Sequence, residues 1–127
     1  MNKKILIVDD EADLLALVSR GLQRAGYAVT GASDGREALA LAGKIMPDLV
    51  ILDIYLPYVN GDEITRDLRK DEKLKHVPVL LISSVLEGLA ELAAERGADG
   101  YLHKPFELEE LLAMVKKHCH LPEGGKL

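Results

Sequence analysis

The chain has 127 residues, 48% of them hydrophobic and 29% charged, with a formal net charge of -5. That suits one globular domain with its own core, and excludes a disordered chain or a small disulfide-stapled scaffold. The acidic balance argues against a general nucleic-acid surface, which needs a clustered basic face. The single cysteine, Cys119, permits no internal disulfide and fits a reducing cytoplasm. No apolar run approaches the length of a membrane span, and Met1-Asn2-Lys3-Lys4 lacks the layout of a signal peptide, so a cytoplasmic location is expected.

Ile5-Leu6-Ile7-Val8 reads as a strand buried on both faces, and it ends on Asp9-Asp10-Glu11. A helix follows with Leu14, Val18, Leu22 and Ala25 on one face. Acids in its first turn suit the positive end of the helix dipole, and Gly26 stops it. Ala28 to Ala32 is a weaker strand that contains a glycine and suits a sheet edge. Ser33-Asp34-Gly35 turns into a second helix with Ala38, Leu39, Leu41 and Ala42. Leu49-Val50-Ile51-Leu52-Asp53 is again a buried-strand run, and it too ends on a carboxylate. Pro47-Asp48 before it, and Pro57 and Asn60-Gly61 after it, set its bounds. Gly61 to Arg69 is the third helix, with Ile64 and Leu68 four apart. Pro78-Val79-Leu80-Leu81-Ile82 is the third continuous apolar run and ends on Ser83-Ser84. A helix from about Leu86 to Arg96 ends at Gly97, and Gly100-Tyr101-Leu102-His103 is a short strand that ends at Lys104-Pro105. The last helix carries Leu108, Leu111, Leu112 and Val115. The tail from Leu121 to Leu127, with Pro122 and Gly124-Gly125, is expected to fray.

Five strand–helix units in regular alternation predict an α/β fold, a doubly wound parallel sheet with helices on both faces. The three fully apolar strands belong in the centre and the two weaker ones at the edges, which an order of 2-1-3-4-5 satisfies. Right-handed crossovers then place the first and last helices on one face and the middle three on the other. In that order Asp9 and Asp10 meet Asp53 at the switch point, the edge where ligands bind in open α/β sheets.

Converging carboxylates repel one another unless a cation intervenes, and their titrations are coupled. A hard divalent ion held by oxygen, such as Mg2+, is the natural compensation. The edge has no Gly-rich loop after the first strand, so a dinucleotide or flavin phosphate would meet negative charge. Ser83 and Lys104 add a hydroxyl and an ammonium to the same edge. A carboxylate nucleophile, a metal, a hydroxyl and an ammonium together suit acceptance of a phosphoryl group.

Four segments carry a resemblance: Ile5-Leu6-Ile7-Val8-Asp9-Asp10-Glu11, Leu52-Asp53-Ile54-Tyr55-Leu56-Pro57, Leu81-Ile82-Ser83-Ser84, and Gly97 through Phe106. Together they are similar to the signature of two-component response-regulator receiver domains, over residues 3 to about 120. The resemblance implies a flavodoxin-like fold, with residues 1–120 as the receiver and 121–127 as a tail or the start of a linker. It implies that Asp53 is the phosphoacceptor and that Asp9, Asp10, Asp53 and the Tyr55 backbone carbonyl bind Mg2+. Ser83 and Tyr101 are implied as the switch pair, Lys104 as the partner of the phosphoryl group, and the Lys104-Pro105 bond as cis. The implied partners are a histidine kinase or histidine phosphotransfer protein, docking on Leu14, Leu17 and Pro105, and a downstream protein on the face of the fourth helix, fifth strand and fifth helix. A phosphorylation-dependent homodimer is compatible with the family; direct nucleic-acid or membrane binding is not expected.

Ser83 stands where Thr is commoner, and Ser84 where Ala is usual. Tyr55 and Val85 hold the positions that flank the entry of hydrolytic water, so slow self-dephosphorylation is expected. A pseudo-receiver would have lost Asp53, Lys104 or the acid pair. An aspartyl phosphatase would carry a second Asp where Tyr55 stands, and a cap domain. His118-Cys119-His120 diverge around a helix end and are read as dipole complements rather than zinc ligands. His103 is read as a solvated neighbour of Lys104, His76 as loop, and Arg66 to Lys75 as a solvated, mixed-charge face. About seven residues after the fifth helix are too few for a DNA-binding module, which fits a stand-alone receiver or one taken from a longer protein.

Overall fold

The computed structural model describes residues 3–85 and 87–119. Five parallel strands, β1 (Lys4–Val8), β2 (Ala28–Ala32), β3 (Leu49–Asp53), β4 (Val79–Ser83) and β5 (Gly100–His103), alternate with five helices. These are α1 (Ala12–Arg24), α2 (Gly35–Ile45), α3 (Gly61–Lys70), α4 (Leu89–Arg96) and α5 (Leu108–His118). The strand order is β2-β1-β3-β4-β5, as the apolar content of the runs predicts.

Strand pleating sends alternate residues to opposite faces. Ile5, Ile7, Leu49, Ile51, Leu80 and Ile82 pack with Val18 and Leu22 of α1 and Leu111 and Val115 of α5. Leu6, Val8, Val50, Leu52, Val79 and Leu81 pack on the other side with α2, α3 and α4. Each fully buried Leu or Ile contributes about 1.5–3 kcal/mol relative to leaving it in water. No helix among the described residues is long and apolar enough to cross a membrane.

Register levels the carboxyl ends of the central strands. Val8 pairs with Leu52, Asp53 with Ile82, and Ser83 with His103, so Asp9 is level with Asp53, Ser83 lies one residue further along and Lys104 one beyond that. The start of α3 is pressed onto this edge: the Gly61 amide donates to the Ile54 carbonyl at 2.7 Å, and a Cβ on Gly61 would overlap the Asp53 carbonyl. Only glycine permits that approach.

Helix ends follow local chemistry. Asp34 caps α2 by accepting from the Arg36 amide at 2.8 Å and the Glu37 amide at 3.3 Å. Glu63 accepts from the Asn60 amide at 3.1 Å, so Asn60 belongs to the start of α3 as well as to a turn. Gly97 ends α4 with φ 83°. The start of α4 differs from the expectation of about Leu86: the helix begins at Leu89, behind Gly88 at φ 80°, and Leu86 lies outside the described residues. The expected fraying of the tail and His120 also fall outside them.

Arg69 departs from the expected solvated face. Its side chain is 23% exposed and donates to the carbonyls of Gly97 at 2.8 Å and Val77 at 2.7 Å and to Asp99 at 2.8 Å. Asp99 also accepts from the Val79 amide at 2.9 Å. One guanidinium thereby ties the end of α3 to the amino ends of β4 and β5. Sequence periodicity places Arg69 on a polar face and carries no sign of the carbonyls that converge there.

Leu52→Ala should lower stability by about 2–5 kcal/mol in urea unfolding, the cost of an emptied core site. Leu17→Ala, at a side chain 54% exposed, should stay within about 0.5 kcal/mol of the parent.

Candidate functional site

Asp9 and Asp53 are both buried at the ends of neighbouring strands. The Asp9 Oδ1 atom accepts from the Glu11 amide at 2.9 Å, and Asp53 Oδ1 accepts from the Tyr55 amide at 3.3 Å. Lys104, only 11% exposed, places Nζ 3.0 Å from Asp9 Oδ2, 3.0 Å from Asp53 Oδ2 and 2.5 Å from Glu11 Oε1. The contact to Asp53 is a directed hydrogen bond, whereas the Asp9 oxygen is close in charge but receives no directed donor.

The three acids therefore meet as the sequence predicts. Carboxylate oxygens of Asp9, Asp10 and Asp53 lie within 4.8 Å of one another, with Asp10 exposed and the other two buried. A buried oxygen without a directed donor, in an all-oxygen donor set with one ligand open to water, fits a hard divalent cation. The residues present are able to hold such a metal.

Burial pushes the Asp53 carboxyl above the usual carboxylate range, and the Asp9 charge adds to this. Lys104 and the Tyr55 amide oppose the shift without cancelling it. For Lys104, burial favours the neutral amine, but the bonds to Glu11 and Asp53 and the nearby Asp9 carboxylate outweigh it and hold the ammonium above its ordinary value.

Ser83 is fully buried, and its Oγ accepts from the Val85 amide at 3.0 Å. A cleft opens beside it, lined by Ile54, Tyr55, Val85, Leu89 and Leu92. Tyr101 is 46% exposed, on β5, where it pairs with Leu81. Leu17 is exposed on α1, Leu14 is half-buried against the α1/α5 layer, and Pro105 is exposed after the cis Lys104-Pro105 bond. His103 is half-buried, not a solvated neighbour: its Nε2 lies 3.1 Å from the Ser84 carbonyl, which assigns the proton to that nitrogen. Glu11 was legible only as an acid suited to a helix start; its pairing with Lys104 was not.

Residues 5–116 match the family of the response regulator receiver domain. This chain is a response regulator receiver domain. The receiver is 44% identical over 117 residues to the alkaline phosphatase synthesis transcriptional regulatory protein PhoP of Bacillus subtilis, covering 91% of this chain and 48% of that protein. It thus spans about half the length of the curated relatives it matches. Among solved structures it is similar to the chemotaxis response regulator CheY4 of Vibrio cholerae, with a TM-score of 0.87, 36% identity, and coverage of 92% of this chain and 98% of that one. It is also similar to the receiver domain of a Pseudomonas aeruginosa sensor histidine kinase, solved with a magnesium ion coordinated in its active-site cleft. There the TM-score is 0.85 and the identity 29%, with coverage of 93% of this chain and 98% of that one.

The raised Asp53 carboxyl has a signed consequence. The native state binds that proton more tightly than the unfolded chain does, so stability falls as pH rises through the ordinary carboxylate range to the raised value. At neutral pH the ionised side chain is a cost. In chelator, Asp53→Asn should therefore melt higher than the parent at pH about 7, with the gap closing below about pH 4, where both side chains are uncharged. Equal or lower melting of the variant at neutral pH would contradict the shift.

Proposed function

We propose that this receiver accepts a phosphoryl group on Asp53 from a phosphohistidine of a histidine kinase or histidine phosphotransfer protein. The observation that carries the reading is the single ammonium of Lys104 lying 3.0 Å from both buried carboxylates, Asp9 and Asp53. A nucleophile, its charge partner and a set of metal-fitting oxygens share one strand edge.

In the transfer an Asp53 oxygen forms a bond to phosphorus. The P–N bond to the donor imidazole breaks, and its electron pair stays on the leaving nitrogen. Asp53 is ionised for the attack because Lys104 and the Tyr55 amide hold its two oxygens as acceptors. Lys104 pairs with one oxygen of the transferring group. The Ser83 oxygen already accepts from Val85, so the hydroxyl proton is the part left for a second oxygen. Mg2+ held by Asp9, Asp10, Asp53 and the Tyr55 carbonyl would neutralise charge on the transferring group. The carboxylate, ammonium and hydroxyl are fixed before transfer, so little reorganisation is needed when charge moves.

The output follows from the same contacts. Drawing Ser83 toward the phosphoryl group empties space near β5, and Tyr101 turns inward from its exposed position, changing the α4-β5-α5 face that a downstream protein or a second receiver reads. Leu17 and the margin of Leu14 on α1, with Pro105, form the apolar patch on which the donor's helices dock. The receiver assists its own phosphorylation and dephosphorylation and has no separate substrate.

Incubation with acetyl phosphate and Mg2+ should produce one phosphoryl adduct by intact mass, absent in Asp53→Asn and without metal. No adduct in a protein that still binds Mg2+ would replace this reading with a module that binds partners without phosphorylation.

Tyr55 and Val85 line the mouth of the cleft and restrict water at the acyl phosphate. Decay of the adduct at neutral pH with Mg2+ should take minutes or longer, and the Tyr55→Ala, Val85→Ala double variant should shorten it several-fold. Decay of the parent within seconds would exclude this role.

A further inference from the structure

The fifth partner at this edge is Glu11. It stands at the N-cap of α1 with extended backbone, φ -83° and ψ 103°. An acidic side chain there ordinarily turns back to accept from the first amides of its own helix. The Glu11 side chain makes no such capping bond. Its Oε1 lies instead 2.5 Å from Lys104 Nζ, nearer than either Asp9 or Asp53, at 3.0 Å each. The backbone of Glu11 fixes it in place: its amide donates to Asp9 at 2.9 Å, and its carbonyl accepts from the Leu15 amide at 2.9 Å.

An ammonium has three protons. Two of them are directed at Glu11 and Asp53, and Asp9 lies 3.0 Å away without a directed bond, so a phosphoryl oxygen reaching Lys104 enters competition with carboxylates already gathered around it. Asp9 and Asp53 are also the oxygens that fit a cation, whereas Glu11 is outside that set and 61% exposed. Of the three it is the one that a cation bound at the acidic cluster would not draw on.

We propose that Glu11 is a positioning residue that anchors Lys104 in the resting receiver and competes with the incoming phosphoryl group for it. This rests on the reading of Asp53 as phosphoacceptor. Glu11 acts through Lys104 and slows phosphorylation. Its exposure limits the effect to what a solvated ion pair supplies, about two- to fivefold in rate.

The test measures the rate of adduct formation with acetyl phosphate and saturating Mg2+. In that step an Asp53 oxygen bonds to phosphorus, and acetate leaves with the electron pair of the broken P–O bond. Loss of a negative charge could itself speed the encounter with an anionic donor, so three variants are compared. Glu11→Gln keeps the length and loses the charge. Glu11→Asp keeps the charge and loses the reach. Asp13→Asn removes one charge from the first turn of the same helix, at a residue that is not among the ion-pair partners of Lys104.

The expected result is a two- to fivefold acceleration in both Glu11 variants, with Asp13→Asn near the parent and melting temperatures unchanged. Glu11→Asp matching the parent while Glu11→Gln and Asp13→Asn accelerate alike would reduce the effect to general charge and overturn the proposal. Slower transfer in Glu11→Gln would overturn it in the other direction, making Glu11 an aid. Failure of the parent itself to form the adduct would instead remove the phosphoacceptor reading, and this inference with it.

Discussion

Two carboxylates removed from water at neighbouring strand ends must be balanced, and Lys104 balances both Asp9 and Asp53 from 3.0 Å. An ionised carboxylate without a partner in that position would neutralise itself by taking a proton. The ammonium prevents this only in part. Burial still holds Asp53 above its ordinary range, and one Asp9 oxygen still lacks a directed donor. The remaining imbalance makes the edge receptive to a further cation, and the turn after β5 must point inward to deliver Lys104.

Everything that holds this cluster is carried by the sheet. Register brings Asp53 level with Ile82 and Ser83 with His103, while Gly61 lets α3 close against the end of β3. The opposite edge is tied by Arg69, which links α3 to the strands on either side of α4. Loops at the carboxyl ends are thus free to carry chemistry while the scaffold behind them stays fixed. The strand order β2-β1-β3-β4-β5 is that of the receiver family to which the chain belongs.

Most of the scaffold was legible from the chain. Ile5 to Val8, Leu49 to Leu52 and Val79 to Ile82 are apolar without a break, because a strand covered by helices on both faces has no side for polar residues. Their positions predicted the strand order, and the strand order predicted which acids would meet. The start of α4 was not legible: Leu86 continues the apolar pattern, and only the left-handed Gly88 shows where the helix begins. Arg69 was read as part of a solvated, mixed-charge face and His103 as a solvated neighbour of Lys104, because a charged or polar side chain carries no mark in the sequence of a distant carbonyl. Val77 and Gly97, which receive Arg69, and Ser84, which faces His103, come from other parts of the chain.

Apolar periodicity and the residues at strand ends determined the architecture, the family resemblance and the membership of the acidic cluster, since each depends on local pattern and on a small set of allowed topologies. The tertiary structure decided how the charges are shared. That Lys104 is held by three acids, that Glu11 leaves its own helix end uncapped to reach it, and that Tyr101 stands outward all depend on side-chain distances across separate units. Coulomb energies and hydrogen bonds vary over tenths of a nanometre, and no sequence spacing encodes a distance between loops that meet only after the sheet has formed.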